Sequence, residues 1–106
     1  PGLAKARNNL GCLLEASGRL EEAIGCFEQA ARLDPSLAQA HYNLANAHKR
    51  RGDAAQALAG LARAIALEPS HPDWLCNLAN LQYDRLDLDE AESNLRRAIA
   101  ADPGYA

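Results

Sequence analysis

The sequence contains no methionine and few aromatic residues, and these absences constrain how its core can be built. Aromatic side chains make up 5% of the 106 residues, with a single Trp and a single Phe. Hydrophobic residues still reach 48%, an ordinary proportion for a globular protein. The core must therefore be built mainly from Ala and Leu, a composition that suits closely packed helices.

Other absences argue against several classes of function. The formal net charge is -3, and no stripe of Lys and Arg compensates for it, although nucleic-acid binding depends on such residues to neutralise phosphates. No apolar run approaches the ~18 residues that span a bilayer, and no signal-peptide pattern is present. The sequence therefore predicts neither a nucleic acid nor a membrane as partner.

The residues that commonly carry chemistry form no recognisable set. The three Cys are odd in number and make no C-x-x-C pair, which favours buried or half-buried thiols in a reducing compartment; we expect the cytoplasm. Neither a phosphate loop, a nucleophile elbow nor a Ser/His/Asp set occurs, and the three His lack metal-ligand spacing. We therefore predict a segment that is not an enzyme and that holds no metal or cofactor.

A proline recurs every 34 residues along the whole chain, at Pro1, Pro35, Pro69 and Pro103. A fixed period of this length is typical of stacked repeats, in which a unit buries its apolar face only against its neighbours. Because the chain starts and stops in phase with the repeat, we expect it to be a segment of a longer protein.

Aligning the prolines superimposes the apolar positions of three units. The matched sets are Leu10, Leu44 and Leu78; Gly11, Ala45 and Ala79; Ala23, Ala57 and Ala91; Phe27, Leu61 and Leu95; and Ala30, Ala64 and Ala98. Within each unit these positions recur at helical spacing, which predicts two amphipathic helices per unit.

The turns between the predicted helices carry their own signals. Gly18 and Gly52 predict left-handed helix stops, whereas the third unit has Leu86 at this position, where a positive φ would cost about 1 kcal/mol or more. Short polar residues predict the N-caps of the helices that follow. These are Ser36, Asp53, Ser70 and Asp87.

The aligned residues resemble the tetratricopeptide repeat, a 34-residue helix-turn-helix with the pattern W-x2-L-G-x2-Y, A-x3-F and P. The first unit matches it with Leu10-Gly11, Ala23-x3-Phe27 and Pro35, and the other two match at the equivalent residues. The departures lie mainly at aromatic positions; Arg7, for example, stands at the place of the Trp.

The resemblance implies an all-α fold of three tandem helix-turn-helix repeats stacked into a right-handed superhelical solenoid. Residues 1–106 would form one array segment, with repeats at about 4–37, 38–71 and 72–105.

Five asparagines recur at positions that packing does not require: Asn9, Asn43, Asn46, Asn77 and Asn80. Residues three apart share a helix face, so these amides should form a ladder up one surface, which the resemblance implies is the concave groove. Each amide can both donate to and accept from a peptide group. The ladder therefore predicts binding of an extended polypeptide through its backbone, with little contribution of Asn43 or Asn77 to stability.

The alternative is that the amides hydrogen-bond one another and brace the stack, and recurrence in phase fits either interpretation. The ladder also resembles the asparagine array in the repeat region of O-linked N-acetylglucosamine transferases, which holds substrate polypeptide by its backbone. Weaker candidates for contacting ligand side chains in the groove are Tyr42, Lys49, Arg50, Tyr83 and Asp84.

A second mode of the family, the carboxylate clamp that grips chaperone tails, fits the sequence poorly. The clamp needs basic residues at two groove positions. Here these positions hold Asn8, Tyr42 and Cys76, and Lys5, Gln39 and Asp73. Asp73 would repel a carboxylate where the third unit should attract one.

Three functional hypotheses remain. The chain is a protein-interaction module that binds a peptide, or the substrate-selecting arm of a larger enzyme such as a glycosyltransferase, or a self-assembling scaffold. The third rests on the last helix, where we expect Leu95, Ala98 and Ile99 to be partly uncovered and to favour self-association.

Overall fold

The computed structural model describes residues 2–102, which form six α-helices and no β-strand. The helices are α1 (Gly2–Ala16), α2 (Leu20–Leu33), α3 (Ala38–Arg51), α4 (Ala54–Leu67), α5 (Pro72–Asp84) and α6 (Leu88–Ala101). None of them is long and apolar enough to cross a membrane. The prediction of an all-α fold is confirmed. Pro1 and Pro103 lie outside the described residues.

The helices pack as three antiparallel pairs: α1 with α2, α3 with α4, and α5 with α6. The turn inside each pair has a left-handed residue. Gly18 has a φ of 80° and Gly52 a φ of 94°, so the predicted glycine stops are confirmed. The third turn keeps the same backbone with Leu86 at φ 64°, a conformation that favours glycine.

The capping predictions need correction. α3 begins after Leu37 and α5 after His71, so Ser36 and Ser70 each lie one residue too early to cap a helix. Ser36 instead donates from its amide and hydroxyl to the Asp34 carboxylate, which closes a local turn.

The two aspartates do lie at N-cap positions, but their side chains make no capping hydrogen bond. The carboxylate of Asp53 accepts from Arg51 Nε at 2.6 Å, so a guanidinium outcompetes the free helix amides. Asp87 contributes through its backbone carbonyl, which accepts from the amide of Ala91.

Close packing within a pair depends on matched residue sizes. A Cβ at Gly11 would lie 2.5 Å from Phe27, whose ring is fully buried between α1 and α2. The next two units place Ala45 and Ala79 at the equivalent of Gly11, where the facing residue is the smaller Leu. The glycine therefore leaves room for the one phenylalanine of the chain.

Packing between pairs completes the core. One apolar cluster joins α4 to α5 and includes Leu61, Ile65, Leu75 and Leu78. A second cluster joins α2 to α3 and includes Ile24, Phe27 and Ala47. Each pair therefore buries its apolar side chains partly against the next pair, as expected for a stacked repeat.

Leu86 provides a test of the strained turn. Its side chain is 78% exposed, so replacing it loses little burial. Leu86→Gly should relieve the left-handed strain and raise the free energy of unfolding by roughly 0.5 to 1 kcal/mol, after the extra entropy that glycine has in the unfolded chain.

Urea denaturation measures this change, with Leu33→Gly as the control. Leu33 is the last residue of α2 and is also exposed, but its helical backbone gains nothing from glycine. The control should lose stability, and a loss for Leu86→Gly as well would show that the turn is not strained.

Candidate functional site

The first helices of the three pairs, α1, α3 and α5, lie side by side and form one surface, the inner face. Three side-chain contacts join neighbouring first helices across the units. They are Asn43 Nδ2 to Asn8 Oδ1 at 3.0 Å, Asn77 Nδ2 to the Tyr42 hydroxyl at 3.0 Å, and Arg50 Nη1 to Glu15 Oε2 at 2.8 Å. Each contact joins residues 35 positions apart, so the same relation recurs between successive units.

Two of the five predicted amides act between units. Asn43 donates to Asn8 and to the Cys12 sulfur, and its carbonyl accepts from Gln39, which leaves one acceptor lone pair free. Asn77 donates one amide hydrogen to the Tyr42 hydroxyl. Its carbonyl oxygen and its second amide hydrogen have no partner among the described residues. Asn43 and Asn77 therefore link successive units, which is the arrangement that the bracing alternative requires.

The other three amides have no such role. Asn9 and Asn80 are exposed and Asn46 is half-buried, and none of their side chains hydrogen-bonds another residue within 2–102. Because Asn46 and Asn80 are equivalent residues of neighbouring units, they present the same unpaired amide twice along the inner face. These amides keep their full capacity to donate and accept.

The weaker candidates lie in different environments. Tyr42 is half-buried and stacks on Trp74 with ring centroids 4.7 Å apart, so it is part of the junction between α3 and α5. Arg50 is exposed but paired with Glu15. Lys49, Tyr83 and Asp84 are exposed.

A thiol lies among the asparagines of the inner face. Cys12 occupies the position that Asn46 and Asn80 hold in the other units, and it accepts from Asn43 at 3.4 Å. Partial burial, with a smaller contribution from the carboxylate of Glu15, raises the pKa of the Cys12 thiol.

Imidazoles serve packing and local contacts. His41 approaches the Pro35 carbonyl at 3.0 Å, buried His48 contacts Arg51, and His71 stacks on Trp74 at 3.8 Å. Among residues 2–102, no three His, Cys, Asp or Glu residues are grouped so that they could hold a metal ion.

Sequence reasoning missed two residues of the inner face. Asn8, which the sequence presents only as a clamp position without a positive charge, is 7% exposed and accepts the hydrogen bond from Asn43. Gln39 is likewise a clamp position without a positive charge, and its side-chain amide donates a hydrogen bond to the Asn43 carbonyl. The only available signal was that polar residues precede the matched asparagines.

The architecture defines a class, a solenoid of stacked helical hairpins, and comparison with known proteins gives the family. A family model described as TPR repeat matches residues 11–52, and one described as tetratricopeptide repeat matches 42–106. The chain belongs to the tetratricopeptide repeat family. No curated protein sequence matches it.

Several solved structures share the fold. The second TPR of Spaghetti (RPAP3), bound to the HSP90 peptide SRMEEVD, superposes with a TM-score of 0.87 at 20% identity, over 94% of this chain and 93% of that one. MamA has a TM-score of 0.90 at 26% identity, over 99% of this chain and 61% of that one. The first TPR domain of human RPAP3 has a TM-score of 0.87 at 24% identity, over 99% and 83%.

The bracing role of Asn43 predicts an effect on stability. Asn43→Ala leaves the Asn8 carbonyl buried without its donor, which should lower the free energy of unfolding by about 1 to 3 kcal/mol. Asn46→Ala is the matched control, because it makes the same substitution on the same helix without removing a hydrogen bond. Urea denaturation of both variants gives the comparison, and equal stabilities would show that the Asn43 bond does not brace the stack.

Proposed function

We propose that this chain is a protein-interaction module whose inner face holds an extended polypeptide by its backbone. The five asparagines take part in two ways. Asn9, Asn46 and Asn80 pair directly with peptide groups of the ligand, while Asn43 and Asn77 hold the units in register and offer their remaining capacity. The observation that carries the proposal is the set of three amides left unpaired on this face.

The spacing of the units suits a backbone ligand. Packed helices lie about 8 to 10 Å apart and an extended chain rises about 3.3 Å per residue, so each unit meets the ligand at roughly every third residue. An amide that pairs with a peptide group in both directions favours the extended conformation without selecting a sequence. Lys49, Tyr83 and Asp84 are exposed, and in this proposal they contact side chains of the ligand.

The affinity of these units alone should be low. At about 0.5 to 1.5 kcal/mol per hydrogen bond, three or four bonds supply a few kcal/mol, close to the ~4 kcal/mol of a millimolar Kd. Residues beyond this segment, or side-chain contacts, would have to add the rest in a tighter complex.

The ligand class should differ from the acidic peptide bound by the RPAP3 repeat. That peptide, SRMEEVD, carries three carboxylate side chains. Here the clamp positions offer Lys5 as their only cation, Gln39 is engaged by Asn43, and Asp73 is exposed. A neutral or mixed-charge segment therefore suits this face better.

The proposal predicts selective loss of binding to an uncharged peptide. A fluorescein-labelled 12-residue peptide of Ser, Thr and Val, titrated by fluorescence anisotropy, should bind the Asn46→Ala/Asn80→Ala variant about tenfold more weakly. The same peptide with N-methyl groups on alternate backbone amides should also bind more weakly, because it lacks those donors. Gln56→Ala, which removes an exposed amide on α4, is the control and should bind like the original chain.

Two outcomes contradict the proposal. Equal affinity of the double variant would remove Asn46 and Asn80 from the site. Equal affinity for the N-methylated peptide would show that the ligand is read by its side chains and not by its backbone.

The role of this module within a larger enzyme stays a prediction. Both family models that match describe TPR repeats, so an activity of a parent protein would have to come from other sequence. A glycosyltransferase arm would use the same inner face to select substrate polypeptides. A cytoplasmic location also stays a prediction, based on the three free cysteines.

A further inference from the structure

Two apolar surfaces are exposed at opposite ends of the row of helices. The start surface lies on α1 and includes Leu10, 46% exposed, and Leu13, 64% exposed. The end surface lies on α6 and includes Leu95, 42% exposed, and Ile99, 61% exposed, which line an open apolar cleft of about 500 Å³. Ala98, expected to be uncovered with them, is buried against α5 instead.

The end surface has a buried counterpart inside the chain. One unit earlier, Leu95 and Ile99 correspond to Leu61 and Ile65, which are 1% and 4% exposed. These two side chains are covered because α5 packs on them. The end surface is therefore the same apolar pattern without its covering helix.

The start surface matches the covering helix. Leu10 and Leu13 correspond to Leu78 and Leu81 of α5, which are 7% and 6% exposed in the cluster that contains Leu61 and Ile65. The start and end surfaces are thus the two halves of an interface that already exists between α4 and α5.

We propose that the end surface of one copy of this chain binds the start surface of a second copy, so that copies stack head to tail and continue the solenoid. The contact is heterologous, because each copy uses two different surfaces, and it can propagate. It involves none of the inner-face asparagines, so it stands apart from peptide binding.

Light scattering of the 106-residue chain over a range of concentrations tests the proposal. The weight-average mass of the original chain should rise at least about twofold between about 10 µM and about 1 mM, the range of weak contacts. Leu10→Glu on the start surface and Ile99→Glu on the end surface should each abolish the rise. Leu13→Glu provides a second start-surface variant if Leu10→Glu fails to fold.

Mixing the two variants gives the sharpest result. Leu10→Glu keeps an intact end surface and Ile99→Glu an intact start surface, so an equimolar mixture should form dimers and stop there. Ala62→Glu, which adds the same charge at an exposed position of α4, is the control and should associate like the original chain.

Several results would overturn the proposal. The original chain could remain monomeric up to 1 mM, which excludes a second copy as the occupant. A mixture that stays monomeric, while one variant alone still associates, indicates contact between two identical surfaces. Equal loss in Ala62→Glu indicates a general effect of charge.

Discussion

Apolar clusters that successive helix pairs share hold the stack together. Among the described residues, the largest fully buried side chains are Phe27, Leu61 and Leu75, and each lies in one of these clusters. Successive units are placed so that residues 35 positions apart on their first helices meet, as Asn43 meets Asn8 and Asn77 meets Tyr42. The positions of the inner-face side chains follow from that placement.

The division of the asparagines is a consequence of this geometry. A first helix lies beside its neighbour with a shift that brings residue 43 next to residue 8 and residue 77 next to residue 42, which is one repeat plus one residue. Amides at that position meet a polar group of the preceding unit and become part of the scaffold. Asn46 and Asn80, one helical turn later, meet no partner and remain available. The same residue type, at neighbouring positions, therefore joins two units in one case and stays unpaired in the other.

The sequence predicted those features that depend on local chemistry or on the repeat itself. The glycine stops were predictable because Gly18 and Gly52 tolerate a positive φ, and the helix pairs because the apolar period is regular. The serine caps were wrong because α3 and α5 begin after Leu37 and His71, one residue beyond Ser36 and Ser70. The partner of Asn43 could not be derived, since it depends on the lateral shift between two helices that lie 35 residues apart in sequence. Likewise, the burial of Ala98 depends on how α6 is rotated against α5.

The division into bracing and available amides can be measured on the free chain. Hydrogen exchange of the asparagine side-chain amides, followed by NMR, reports whether each amide is held in a hydrogen bond. Asn43 and Asn77 should exchange more slowly than Asn9, Asn46 and Asn80, and exchange of the latter three should slow when an extended peptide is added. Equal exchange of all five amides in the free chain would contradict it.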